Sequence, residues 1–191
     1  MNWYPDYNFI LASKSPRRQQ LLKSLDINFS IRIREVDETY PNHLSKEEVA
    51  IYLAELKAKA FEAELNEDDL LITADTIVCM DDRILGKPEN YDDAFNMLRD
   101  LSGRTHEVIT GVCLSSQTKK ISFFSATQVV FKDLTGEEID YYIRHCQPYD
   151  KAGSYGIQEW IGAIGIQRIE GSFYNVMGLP IQKLYEEIKK F

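Results

Sequence analysis

Several short stretches of this chain hold the side chains that could do chemistry. Ser13, Lys14, Ser15, Arg17 and Arg18 lie within six positions of one another, directly after the apolar run Phe9-Ile10-Leu11-Ala12. Ser15 suits a helix N-cap, and Pro16 suits the first helical position, where its missing N–H costs nothing. A strand-to-helix turn of this kind aims free backbone N–H groups and the positive end of the helix dipole at one point. Two arginines and two hydroxyls beside that point would suit a phosphate. An ordinary capped surface helix would read the same way from this stretch alone.

Asp75 is the second feature, a carboxylate set between the apolar runs Leu70–Ala74 and Ile77–Met80. If the strand is continuous, that charge needs a partner or a metal. If the strand ends at Ala74, Asp75 simply sits in a turn. Glu38 stands in the acidic loop Val36-Asp37-Glu38, Lys57 lies beside the apolar side of a helix, and Lys87 sits in Gly86-Lys87-Pro88. Singly these read as a solvated loop, a snorkelling lysine and an incidental turn lysine. Together they supply a carboxylate pair for a divalent cation and several cations for a polyphosphate, a set suited to phosphoanhydride cleavage. His43, His106 and His145 are scattered without zinc-site spacing, and there is no Walker loop, Rossmann fingerprint or Gly-x-Ser-x-Gly elbow.

The elements that must position these residues follow from pattern. A buried strand at Phe9–Ala12 leads into a helix with Leu21, Leu22 and Leu25 on one face, then a strand over Asn28–Ile33. Ser45 with Glu48 is a capping box, and its helix carries Val49, Leu53, Leu56, Ala60 and Phe61 to about Glu64. The run from Leu70 reads as a central strand covered on both faces. Asp81-Asp82 is a turn with a return at Ile84-Leu85, and a helix over Asp92–Leu101 stops at Gly103. Val108–Leu114 and Lys120–Phe131 read as long strands joined by a polar turn. Thr135 with Glu138 opens a helix that Pro148 ends; Asp150–Gln158 is polar and Gly-rich, Ile164–Ile169 reads as a strand, and Pro180 starts the last helix. The expected fold class is α/β in a single domain over residues 1–191.

The balance of 30 Asp+Glu against 22 Lys+Arg argues against a protein that coats nucleic acid or lies on an anionic membrane, so a polyanion must be held by a local cluster of cations. Cys79, Cys113 and Cys146 are far apart and odd in number, which suits free thiols in a reducing compartment. Met1–Tyr7 offer no signal-peptide pattern, and no apolar run approaches a membrane span. A cytoplasmic protein is expected.

Taken in order, Ser13-Lys14-Ser15-Pro16-Arg17-Arg18, Ala74-Asp75-Thr76, Gly86-Lys87-Pro88, Leu101-Ser102-Gly103-Arg104-Thr105-His106, Thr110-Gly111-Val112, Asp150 to Gln158 and Gly171 to Pro180 resemble the motifs of the Maf family, from about Phe9 to the last helix. The family consists of nucleoside triphosphate pyrophosphatases related in fold to the inosine triphosphate pyrophosphatases. The resemblance implies a three-layer α/β/α fold with a mixed, elongated sheet, and cleavage between the α- and β-phosphates with Mg²⁺ or Mn²⁺. It makes Asp75 the proton acceptor, with Lys57 and Lys87 beside it in catalysis. Glu38, in a placement that could slip by one residue, joins Asp75 at the metal. Ser13, Arg18, Lys57 and Lys87 match positions that line the phosphate groove, and Arg17, Thr76 and Gln158 match positions tied to substrate choice. Asp-Lys-Ala-Gly-Ser-Tyr-Gly-Ile-Gln is similar to the branch acting on dTTP and UTP, although Glu159-Trp160 stand where the family commonly continues with Gly.

The reaction so implied is in-line attack of a metal-polarised water on the α-phosphorus, without a protein nucleophile. Arg17, Arg18, Lys57 and Lys87 would offset charge on the departing pyrophosphate. The rival expectation is a nucleotide-binding regulator linked to cell division that cuts little or nothing. A third is a house-cleaning enzyme for modified pyrimidine triphosphates such as 5-methyl-UTP. The family often forms dimers, which leaves a homodimer open.

Overall fold

Alternation along two parallel strands explains how the functional residues are placed. In the computed structural model, which describes residues 4–191, strand β1 (Asn8–Leu11) runs parallel to both β2 (Phe29–Ile31) and β3 (Asp69–Met80). The reading of Met1–Tyr7 therefore lies partly outside the described residues. The chain divides into two compact units. The first comprises the described residues up to Asp75, with Thr110–Ser125 and Gly178–Phe191; the second comprises Thr76–Ile109 and Ala126–Met177. Strands β3, β5 (Thr105–Ser115) and β6 (Lys120–Phe131) contribute residues to both.

In the first unit Ile10 pairs with Leu71, and together with Cys113 they pack against Ala54 and Ala58 of helix α2 (Lys46–Lys59). Thr73, two residues on from Leu71 and so on the same side of β3, donates to the Ala54 carbonyl at 2.7 Å. Gly111 allows this close approach, because a Cβ there would run into the Ala50 backbone. The opposite side of β1 and β3, formed by Phe9, Leu11, Leu70 and Ile72, is also buried. Helix α1 (Pro16–Lys23) buries Leu21 and Leu22, and helix α7 (Ile181–Lys190) buries Leu184 and Ile188. Tyr4 ties this layer together: its ring meets Phe9 and Tyr185 edge-on and its hydroxyl donates to the Leu25 carbonyl. Within this unit the expected order of helix, sheet and helix is present. The sheet is mixed, since β5 and β6 are neighbours joined by a short turn in which the Ser116 N–H donates to the Lys119 carbonyl at 2.8 Å.

In the second unit β4 (Arg83–Leu85) returns antiparallel to β3, and β7 (Ile166–Glu170) pairs antiparallel with β6. Helices α3 (Tyr91–Leu101), α4 (Gly136–Cys146), α5 (Trp160–Gly165) and α6 (Phe173–Met177) complete it. Val78, Met80, Leu98, Phe131, Tyr142 and Ile161 share its core. Gly103 ends α3 with a φ of 68°, a left-handed position that glycine tolerates best.

Several boundaries differ from expectation. Helix α1 stops at Lys23, which leaves Leu25 in the following turn. Strand β2 covers only Phe29–Ile31 at an edge of the sheet, with Ile31 45% and Ile33 54% exposed, because an apolar alternation needs a face to bury and none covers these residues. Helix α2 ends at Lys59, and a separate 3₁₀ turn, Glu62–Glu64, follows. The strand expected from Ile164 begins at Ile166, since Trp160–Gly165 is helical; α5 and α6 are too short to show a period in sequence. Both capping boxes form as read. Among the described residues no helix is long and apolar enough to cross a membrane.

Candidate active site

The two readings of Asp75 are resolved by the strand, which runs unbroken from Asp69 to Met80. Asp75 is thus a carboxylate inside a strand, 8% exposed. Alternation puts it two residues beyond Thr73 on the side facing α2, and Lys57 stands three residues, almost one turn, beyond Ala54 on that helix. Lys57 Nζ forms an ion pair with Asp75 Oδ1 and, at 2.9 Å, another with Glu38 Oε1. Two carboxylates 37 positions apart in the chain, one from a loop and one from a strand, therefore converge on one ammonium group. Glu38 makes this contact, whereas Asp37 Oδ1 accepts the Thr39 N–H in its own loop.

The turn between β1 and α1 forms as the sequence implies. Ser15 Oγ accepts the Arg18 N–H, and Ser13 Oγ accepts the Ser15 N–H at 3.2 Å. Ser13 is buried there, with its carbonyl accepting from Gln19. The half-buried Arg18 side chain does not simply face solvent. Its Nε donates to the Gly178 carbonyl at 2.7 Å and one terminal nitrogen donates to the Ala74 carbonyl at 2.8 Å, next to Asp75 along the strand. Burial pushes the Arg18 pKa down; Asp75 and Glu38 pull it up, and neighbouring Arg17 adds to the lowering. This mutual influence places Arg17, Arg18, Glu38 and Asp75 in one electrostatic neighbourhood. Lys14 instead pairs with Glu35 at 2.5 Å, and both are exposed.

The first unit therefore gathers Ser13, Arg17, Arg18, Glu38, Lys57 and Asp75. Thr76 follows Asp75 on β3 and is half-buried. Lys87 is exposed in the loop after β4, and Gln158 is exposed just before α5; both belong to the second unit. Gln158 and Glu159 border an open groove of about 400 Å³ whose walls include Ile157, Ala163, Ile166 and Phe173.

Sequence reasoning misses the surroundings of Gln158. The segment from Lys151 looks polar, yet Lys151, Ser154, Tyr155 and Ile157 are buried. Tyr155 bonds His106 through its hydroxyl at 2.7 Å, and Tyr142 of α4 donates to Glu159. The glycines and the Tyr within an apparently hydrophilic stretch are the available signal.

Among the described residues no group of three or more His, Cys, Asp or Glu is placed to hold a metal ion. Asp75 and Glu38 do supply two hard oxygen donors at one place, which suits an ion such as Mg²⁺ that takes one or two carboxylates and completes its shell with water and substrate phosphate. The donor set thus fits a cation that arrives with a nucleotide better than one held by protein alone.

Comparison with known proteins gives the site its context. The model of the Maf family, described as Maf-like protein, matches residues 8–191. A dTTP/UTP pyrophosphatase of Phocaeicola vulgatus is 55% identical over 185 residues, 96% of each chain. A dTTP/UTP pyrophosphatase of Flavobacterium johnsoniae is 53% identical over 180 residues, 94% of this chain and 93% of its own. The Staphylococcus aureus Ham1 protein aligns with 66% of this chain and 72% of its own at 14% identity and a TM-score of 0.49, a likeness too distant to add weight. The carboxylates and cations described above lie on segments inside the matched span, and the chain belongs to the Maf family.

Proposed function

We propose that this chain is a nucleoside triphosphate pyrophosphatase that cleaves dTTP and UTP between the α- and β-phosphates, releasing the monophosphate and pyrophosphate, with residues 1–191 acting as one Maf-like domain. The relatives bearing that name match over nearly their whole length at half or more identity. The observation that carries the reading is the convergence of Asp75 and Glu38 on Lys57, with Arg18 bonded to the carbonyl beside Asp75. A pure phosphate-binding site gains nothing from a buried carboxylate, whereas hydrolysis needs a base.

In this reading Asp75 accepts the proton of the water that attacks the α-phosphorus. As the new P–O bond forms, the bond from that phosphorus to the bridging oxygen breaks, and pyrophosphate leaves. Arg17, Arg18, Lys57 and Lys87 meet the charge that builds on the leaving group, a service typically worth ~10²–10³ in rate per donor. A divalent cation, Mg²⁺ or Mn²⁺, held by Asp75 and Glu38 would supply further neutralisation of phosphate charge. Ser13 and Thr76 offer hydroxyls to the substrate. Gln158 offers an amide that matches one acceptor and one donor on a pyrimidine edge. A cytoplasmic setting, where nucleotides are plentiful and thiols stay reduced, goes with this reading, as does a homodimer.

The test is an assay that separates pyrophosphate from orthophosphate over several nucleotides, with and without Mn²⁺. Pyrophosphate released from dTTP and UTP in a metal-dependent way is expected. Orthophosphate would indicate a phosphatase, and binding without cleavage a regulator. Competition between dTTP and 5-methyl-UTP ranks ordinary against modified substrates.

A further inference from the structure

Lys57 and Arg18 hold their charges in different ways. Arg18 is tied to the backbone, through Nε to the Gly178 carbonyl at 2.7 Å and through a terminal nitrogen to the Ala74 carbonyl at 2.8 Å. The Lys57 ammonium is held by two side chains instead. It pairs with Asp75 Oδ1 and, at 2.9 Å, with Glu38 Oε1.

The three groups of this cluster differ in how firmly they are placed. Asp75 lies inside β3 and is 8% exposed. Lys57 springs from α2, which packs through Ala54 and Ala58 against Ile10, Leu71 and Cys113. Its four-carbon stem nevertheless rotates freely, and its side chain is 17% exposed. Glu38 comes from the loop between β2 and α2, and its side chain is 47% exposed. The Asp75 carboxylate is therefore fixed, whereas the ammonium and Glu38 can shift without disturbing the core.

Two carboxylates that share one cationic group are also the donors that a hard divalent cation takes. Both oxygens already lie within hydrogen-bond reach of a single nitrogen, so an ion drawn to both is drawn to the place of the ammonium. The two cations repel each other and compete for the same oxygens. Losing the ammonium alone would strand Asp75 desolvated and unpaired, so the exchange needs a stronger cation to take its place. Resting on the proposed reading of the site, we infer that Lys57 is an internal counter-cation whose ammonium competes with the divalent metal for Asp75 and Glu38. Metal affinity then stays low until a nucleotide offers phosphate oxygens both to the metal and to the displaced ammonium.

The experiment titrates the full chain with MnCl₂ and no nucleotide, following free Mn²⁺ by electron paramagnetic resonance. It compares the wild type, Lys57→Met, Lys57→Met combined with Glu38→Gln, and Lys14→Met, with melting temperatures to confirm folding. Lys57→Met should bind Mn²⁺ at least about tenfold more tightly than the wild type. Adding Glu38→Gln should cancel most of that gain, because one of the two donors is then neutral. Lys14→Met removes a charge that is paired with Glu35, and it should alter the affinity by less than about twofold. Should Lys57→Met fail to fold, Lys57→Gln keeps a neutral donor for Asp75 and should gain about threefold. Folded Lys57 variants that bind Mn²⁺ no more tightly than the wild type overturn the inference, as does an equal gain in Lys14→Met. Pyrophosphate release is read separately. Release from dTTP and UTP beside an unchanged Mn²⁺ affinity removes the inference and leaves the proposed function in place. Tighter Mn²⁺ binding by Lys57→Met in a protein that releases no pyrophosphate removes the proposed function and leaves the competition for Asp75 and Glu38 standing.

Discussion

Both units place polar side chains under cover, but they satisfy them differently. In the first unit, charge meets charge: Lys57 takes two carboxylates, and Glu38, one of them, remains half in solvent. In the second unit, hydroxyls and an enclosed ion pair share the work: Tyr142 both accepts from Gly156 and donates to Glu159, whose other oxygen pairs with the buried Lys151, and Tyr155 meets His106 deep in the core. A cluster of charges with one side open can exchange its internal partners for a charged ligand. A buried network with no open side resists such exchange, because each lost hydrogen bond strands a desolvated atom. The first arrangement suits chemistry and the second suits holding a shape.

The most severe way to test that division is Asp75→Asn. The amide keeps the volume and removes the base, so pyrophosphate release should fall by at least ~10³. Stability should change little, since Lys57 retains Glu38 and the cost of a buried carboxylate disappears. Near-normal turnover by this variant would show that the first unit's cluster is an ion-pair scaffold only. Arg18→Lys comes next. Arg18 commits two nitrogens to the Gly178 and Ala74 carbonyls, a forked geometry that an ammonium cannot reproduce. A loss of ~10²-fold in kcat/KM is expected, with about 1–3 kcal/mol of stability from the carbonyls left unpaired. Denaturant unfolding beside steady-state kinetics separates the two effects.

The same contrast separates what the order of residues discloses from what it hides. The turn with Ser15, Pro16 and Arg18 is legible because capping chemistry is local, and the two capping boxes are legible for the same reason. The α2 face of β3 follows from alternation. Asp75 stays ambiguous in sequence because a strand that continues and a strand that stops have the same composition up to that residue; only its pairing partners distinguish them. The meeting of Glu38 with Lys57 lies beyond local reasoning, since nothing in an acidic loop says which helix it will touch. The burial of Lys151 and Tyr155 is hidden because glycine-rich stretches read as surface loops. Here Gly153 has a φ of 68° and Gly156 leaves room for its neighbours, so the glycines serve packing.

A milder test addresses the second unit through pH. His106 is 3% exposed, stacks on Phe131 and bonds Tyr155, and burial pushes its pKa down to about 4. The unfolded chain, with an ordinary value near 6.5, binds this proton first as pH falls. Between about pH 6.5 and 4 the unfolded state therefore carries more protons, and stability decreases with falling pH. The full span amounts to about 3 kcal/mol at most. His106→Gln should flatten that slope, whatever it does to stability at about pH 8. Urea unfolding at several pH values measures this, and an unaltered slope would mean that the ring titrates normally in the folded protein.

The smallest expected effects come from the two capping boxes, one in each unit. Ser45 caps α2, which carries Lys57, and Thr135 caps α4, which carries Tyr142. Replacing either by Ala removes an acceptor for a first-turn N–H and should cost about 1 kcal/mol. Function should respond differently in the two cases. A frayed α2 start lies about three turns from Lys57, so Ser45→Ala should leave kcat and KM unchanged. Thr135 stands about two turns before Tyr142, and the hydroxyl of that tyrosine fastens the Gln158 turn. Thr135→Ala should therefore raise KM for UTP by a factor of about two while kcat holds. If the two caps behave alike, the second unit is no more sensitive to loosening than the first, and the distinction between an exchangeable charge cluster and a rigid enclosed network fails.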